Sequence, residues 1–187
     1  MDENSKNEKT KNKNIKKIFF ITNNEEDIAL SAGGVIFYKI TDGELFLLLS
    51  YSREKYEDLG GRCDINDKDI FDTIAREVEE ESNKLILRDA VLKRIKNNSK
   101  YAICKQSKYM VHFIKANCSE MKLSTEDFGK VEFHENLPRT IHWLNVKDVL
   151  KEMDKFNFRL RNNNVISLIN RINPKGKKSL STIIYMF

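Results

Sequence analysis

Residues 59–83 constrain this chain more than any other stretch. A Gly60-Gly61 pair opens it, and an amphipathic run closes it. Ile70, Phe71, Ile74 and Val78 recur at three- and four-residue spacing, which predicts a helix over 67–82 with that stripe in the core. Asp67 or Asp69 suits its N-cap. Asn83 suits the left-handed residue that often ends a helix. Glu77, Glu80 and Glu81 stand three and four positions apart, so they share one face, and 77 and 81 border the buried stripe. Like charges so placed repel by a few tenths of a kcal/mol per pair in water, and by more when partly desolvated. A divalent cation removes that penalty. Mg²⁺ is the natural ion, because it takes oxygen ligands, keeps waters and pairs with phosphates. An EVEEE run alone is more often a solvated acidic face. The Gly-Gly pair at loop distance and Arg76 directly before Glu77 shift the balance.

The rest of the chain reads as strands around that helix. Residues 29–40 and 45–50 are apolar runs joined by Thr41-Asp42-Gly43-Glu44, a hairpin pattern with Gly33-Gly34 as a bulge or close backbone contact. Residues 51–67 are rich in loop formers. Residues 90–95, 101–105 and 109–116 are expected to be strands, the last two forming a hairpin across 106–108. Residues 141–144 suit another short strand, and 146–153 and 165–172 have helical spacing, with Pro174 and Gly176 ending the second. Strands, helix, strands, then helices argue for an α+β domain with a mixed sheet.

Here the chain resembles the Nudix hydrolase family. That signature runs Gly, five residues, Glu, seven residues, Arg-Glu, an aliphatic, any residue, Glu-Glu, any residue, Gly. The second half is matched from Arg76 to Glu81, and Gly60-Gly61-Arg62 matches the opening. Three departures stand out. The spacing from Gly61 to Arg76 is one residue too long, the first-half Glu slot falls on Asp67, Lys68 or Asp69, and Asn83 replaces the final Gly. The family outline extends over 28–155, including the segment His142-Trp143-Leu144.

The resemblance implies a mixed β-sheet sandwiched between helices and a Mg²⁺-dependent pyrophosphohydrolase, with Mn²⁺ as the alternative ion. It implies Glu77, Glu80 and Glu81 as metal ligands, with the Gly60 carbonyl as a further one. Glu77 is the choice for general base, and Arg76 orients the carboxylates. Another carboxylate ahead of the Trp segment is expected, Glu135 first and Glu132 next. The implied substrate is a nucleoside diphosphate derivative: a modified or sugar-linked nucleotide, a dinucleoside polyphosphate, or the 5′ cap of RNA. The rival reading is an inactive nucleotide- or RNA-binding module on the same fold.

Charge placement bears on that choice. The net charge is +5, yet 1–17 carry six Lys against three acids, and 171–187 carry Arg171, Lys175, Lys177 and Lys178 with no acid. The middle is therefore slightly acidic, as a carboxylate-collecting domain should be. Basic ends suit contact with RNA and tilt the substrate towards a capped RNA. Solubilising tails explain them equally well. Lys, Asn and Ile are abundant, as an AT-rich genome produces. Residues 1–16 read as a disordered tail, 17–173 as the domain and 174–187 as a second basic tail.

Three scattered cysteines give neither a zinc pattern nor a disulfide framework, and a reducing cytoplasm is the simplest home. No apolar run is long enough to span a bilayer, and no membrane partner is expected. The oligomeric state is left open. His112 is expected to be structural. His134 and His142 flank Glu135 and stay off the catalytic list. Cys63 should pack, while Arg53, Lys55, Arg159 and Arg161 should be solvated. Phe37, Tyr38, Phe46, Tyr109 and Phe113 should be mostly core.

Overall fold

A computed structural model describes residues 17–23 and 25–175. The tails expected at 1–16 and 174–187 lie outside these residues, apart from Pro174 and Lys175. The chain runs through β1 (Phe19–Asn23), β2 (Glu26–Leu30), β3 (Ala32–Thr41), β4 (Glu44–Ser52), β5 (Lys55–Glu57) and β6 (Leu59–Arg62). Then come α1 (Ile70–Glu81), α2 (Arg88–Lys96), β7 (Tyr101–Cys104), β8 (Tyr109–Lys115), α3 (Thr125–Phe128), β9 (Val131–Glu132) and β10 (Leu137–Pro138). β11 (Thr140–Asn145), α4 (Val146–Lys151) and α5 (Asn163–Ile172) complete it.

The main sheet has the order β11-β4-β3-β8-β7, with β5 on β4 and β6 on β3. β3 and β8 are parallel and the other pairs antiparallel, so the sheet is mixed. Helices cover both faces. Val35 and Phe37 of β3 pack with Ile70, Ile74 and Val78 of α1 and Val91 and Ile95 of α2. Ile36 and Tyr38 pack the other way, with Val149 of α4 and Val165 and Leu168 of α5. Burial on both faces explains why β3 reads as a continuous apolar run rather than an alternating one. Each fully buried Ile or Val of α1 contributes about 1.5–3 kcal/mol. The α+β expectation therefore holds, with the mixed sheet between helix layers.

The β3–β4 hairpin closes through Asp42 (φ 52°) and Gly43 (φ 71°), the left-handed pair that a two-residue turn needs. Three expectations change. Residues 29–40 are not one strand: Ser31 breaks the run, its N–H donating to the Lys108 carbonyl (2.8 Å). Residues 51–67 hold β5 and β6, so Gly60-Gly61 lies on a strand rather than in a loop. Residues 90–95 are helical, within α2. Val91 and Ile95 are both buried, one turn apart, a helical period that a short apolar run conceals. Arg88 also fixes the helix start by pairing with Asp72 of α1 (2.6 Å). Among the described residues no helix is long and apolar enough to cross a membrane.

Candidate active site

Two glycine pairs face each other across the sheet, Gly33 with Gly61 and Gly34 with Gly60. The patch they clear lets side chains approach the backbone from both faces. A Cβ on Gly61 would stand 2.3 Å from Glu77 Oε2, and one on Gly60 would stand 2.7 Å from the Tyr109 hydroxyl. α1 lies over the first face, so its carboxylates sit directly on β6.

The start of α1 is fixed by Asp69, whose Oδ1 accepts from the Asp72 N–H (2.7 Å). Its apolar stripe then puts Arg76, Glu77, Glu80 and Glu81 along the rim of the core. Arg76 is the hub. Its Nε donates to Asp67 Oδ1 (2.9 Å), its Nη1 to Glu80 Oε2 (2.9 Å), and its Nη2 lies 3.0 Å from Glu77 Oε1. Asp67 is 1% exposed and also accepts from the Asp64 N–H (2.7 Å) and the Thr73 hydroxyl (2.8 Å). Burial works against its charge, but the bonds from Arg76, Asp64 and Thr73 hold its carboxyl below the usual range. Of the three positions open for the first-half acid, Asp67 thus carries the contact to Arg76, Asp69 caps the helix and Lys68 is exposed.

The remaining carboxylates are poorly compensated. Burial pushes Glu77 up to about 7, and the charges of Glu80 and Glu135 add to that against the pull of Arg76. Burial also raises Glu81 well above the carboxylate range, helped by the charges of Glu77, Asp58 and Glu132, although Glu81 accepts from the Gly60 N–H (3.1 Å). Glu132, buried on β9, is raised by burial and by Glu135. Glu135 is exposed in the β9–β10 loop, within range of Glu77 and Glu132. Every residue proposed for the site therefore falls in one neighbourhood: Gly60, Arg76, Glu77, Glu80, Glu81 and Glu135, with Glu132 on its inner side.

The β9–β10 loop is tied to α1 by residues whose role the sequence did not disclose. Asn83 takes the left-handed conformation (φ 53°). Its Nδ2 donates to the carbonyls of Phe128 and Val131 (2.9 Å each), and its Oδ1 accepts from the Phe133 N–H (3.0 Å). Arg139, 5% exposed, donates to the carbonyls of Phe128, Gly129 and Glu81. His134 is brought within 3.7 Å of Glu80 Oε2. His142 is held elsewhere, by Thr125 and Thr140. His112 is buried between Phe71 and Tyr101, where burial lowers its pKa to about 4.

On the opposite face of the glycine patch, Asp58 is 1% exposed and accepts from the Tyr109 hydroxyl (2.6 Å). The Arg159 guanidinium stacks on the Tyr109 ring at 4.2 Å and lies 3.7 Å from Glu57. Arg159 is thus mostly buried rather than solvated, because the ring and these acids give its charge partners.

The donor set at α1 is all oxygen, which suits Mg²⁺ or Mn²⁺. The raised carboxylates mark negative charge that a cation would relieve. Among the described residues no three His, Cys, Asp or Glu side chains converge as a ready-made metal cage. Arg76 instead draws the ends of Glu77 and Glu80 to itself.

Two solved structures resemble this fold. One is a binary complex of the C. elegans Ap4A hydrolase, 16% identical, with a TM-score of 0.41 over 82% of this chain and 98% of that one. The other is the C. elegans Ap4A hydrolase, 18% identical, with a TM-score of 0.40 over 67% and 87%. No family model matches the chain, and no curated protein matches it in sequence.

Proposed function

We propose that the chain is a Nudix-type pyrophosphohydrolase that uses Mg²⁺, or Mn²⁺ in its place, to split a phosphate anhydride in a nucleoside diphosphate derivative. One observation carries this reading. Glu77, Glu80, Glu81, Glu132 and Glu135 gather in one neighbourhood, Arg76 contacting Glu77 and Glu80 and Arg139 lying near Glu81 and Glu132, over a backbone cleared of side chains at Gly60-Gly61. Glu77, Glu80 and Glu81 would hold the ion, with the Gly60 carbonyl and Glu135 as further ligands.

A divalent ion held by Glu77, Glu80 and Glu81 would supply charge to offset the diphosphate and would make a bound water more acidic. Glu77 would take the proton from the attacking water as general base. Water attacks one phosphorus in line, the bridging P–O bond breaks, and the leaving phosphate departs as an anion. Arg76, anchored by Asp67, keeps Glu77 and Glu80 from splaying apart. Gly60 does the same for Glu81 through its N–H.

The 5′ cap of RNA is the substrate we favour within this class, on the basic ends of the chain. The test is a Mg²⁺-dependent screen of a nucleotide-derivative panel that includes capped RNA, with Glu80→Gln as control. An enzyme loses turnover in that variant. Ligand affinity that persists in both proteins, with no turnover in either, selects the inactive binding module instead.

A further inference from the structure

A groove of about 920 Å³ opens at the free edge of the sheet, between β7 and α5. Lys105, Arg159, Arg161 and Arg171 line it, and no Asp or Glu does. Lys105 is paired with Glu26. Arg161 and Arg171 are exposed and have no carboxylate partner among the described residues. With Lys105 facing Glu26 and Arg159 facing Glu57, Arg161 and Arg171 leave the lining with an excess of positive charge, which suits an anionic ligand. Its volume lies near the top of the small-ligand range. Along α5, the lining residues Asn163 and Arg171 are about 12 Å apart at the helical rise, so the groove is long enough for more than one nucleotide. The groove also exposes aromatic surface, Phe158 at 60% and Tyr101 at 36%. Positive charge tracking a groove with open ring faces beside it is how proteins hold single-stranded nucleic acid, phosphates on the cations and bases on the rings.

We propose that this groove binds a single-stranded polynucleotide, independently of whether the α1 carboxylates hydrolyse anything. The groove belongs to the folded domain and differs from the basic ends of the chain. It is not isolated from the carboxylates. Arg159 on its wall stacks on Tyr109, whose hydroxyl lies against Gly60, and the Gly60 N–H donates to Glu81. A strand held here lies behind the same backbone patch that α1 covers from the front.

The test is fluorescence anisotropy on the full chain with 5′-labelled twelve-nucleotide oligouridylate, its DNA counterpart, and unlabelled UMP as competitor. Wild-type protein is expected to bind the oligonucleotides in EDTA as well as in Mg²⁺, with affinity falling with salt at about 0.7 log units per phosphate contact. The double substitution Arg161→Glu/Arg171→Glu is expected to weaken binding at least tenfold and to flatten the salt slope. Phe158→Ala should weaken it about fivefold or more with the slope unchanged. Arg161→Lys/Arg171→Lys should retain most of the affinity, and circular dichroism of each variant should match wild type. Tighter RNA than DNA binding assigns the strand as RNA, and the reverse assigns it as DNA. Undiminished binding in the charge-reversed double variant overturns the proposal, and so does UMP competing as well as the oligonucleotide. Glu80→Gln should bind like wild type. Loss of all hydrolysis with binding intact would therefore sink the hydrolase reading alone.

Discussion

The two faces of the glycine patch use opposite electrostatic solutions. In front, one arginine, Arg76, stands among Asp67, Glu77 and Glu80, and the negative charge is left in excess. Behind, Asp58 is buried with Tyr109, Arg159 closes the cluster, and the groove beyond it is cationic. Burial raises carboxylates on both faces, Asp58 behind and Glu77 and Glu81 in front, but Asp58 has the charge of Arg159 as its main counterweight, while Glu77 and Glu81 are crowded by several like charges. A front face that holds a cation needs that excess, and a rear face that holds phosphates needs the reverse. The difference gives the faces different responses to substitution.

The largest separation should come from removing a carboxylate. Glu80→Gln should lower Mg²⁺-dependent turnover by about 10²-fold or more, since even residues that merely support metal ligands commonly cost 10–100-fold. Stability should hold or rise, because one of the repelling charges is gone. Steady-state kinetics beside thermal melts check both. A drop in turnover that merely tracks lost folding would break the contrast between an acidic working face and its scaffold.

Removing the two arginines sharpens it. Arg76→Met strands Asp67, which is 1% exposed and held in its charged form, so about 3–5 kcal/mol of stability should go. Arg159→Met should cost less, about 1–2 kcal/mol. Asp58 is already pushed towards its neutral form by burial and keeps the Tyr109 bond. Urea unfolding of the two variants measures the order, and equal losses would contradict it.

The pH dependence follows from the same excess. Glu77 titrates near 7 in the fold, against an ordinary value of 4.5. Between those values the folded chain holds a proton on Glu77 that the unfolded chain has released, so the Glu77 contribution to stability falls as pH rises from about 4.5 to 7, while buried His112, lowered to about 4, contributes in the opposite direction from about 4 to 6.5. Glu81, also raised, acts in the same direction as Glu77. Saturating Mg²⁺ should flatten the fall. Melting temperature against pH, in EDTA and in Mg²⁺, tests this. The comparison with Glu77→Gln removes the His112 contribution, and a metal-free wild-type profile that matches Glu77→Gln across that window contradicts the assignment.

How much of this was legible in the sequence depended on how local the feature is. Glu77, Glu80 and Glu81 lie within two turns of one helix, so spacing alone placed them on a common face at the edge of the Ile74 and Val78 stripe, and the role of Arg76 came from the family resemblance. The β3–β4 hairpin was equally local, since Asp42-Gly43 dictates its turn. By contrast, α2 looked like a strand because its core side is just Val91 and Ile95 in a nine-residue helix, too few to display a period. The basic groove was illegible for the opposite reason. Its walls come from 101–107 and 158–171, which meet only when α5 packs on β7. Arg159 was misjudged because nothing near it in the chain announces the Tyr109 ring that covers it.

Asn83 shows what a departure from a family pattern can contain. Gly would take its backbone angle (φ 53°) without strain, and the Asn side chain adds three bonds to the segment leading into the β9–β10 loop. Asn83→Gly should therefore keep the end of α1 and cost only about 1 kcal/mol of stability. Its effect should appear in the loop, which carries Glu132, His134 and Glu135 towards Glu77 and Glu80. Amide exchange at 131–138 should quicken, while the interior of α1 stays protected. Turnover should fall by less than in Glu80→Gln, because the ligands on α1 keep their places. Loop protection that is unchanged in Asn83→Gly would leave Arg139 alone as the tether, through its bonds to Phe128, Gly129 and Glu81.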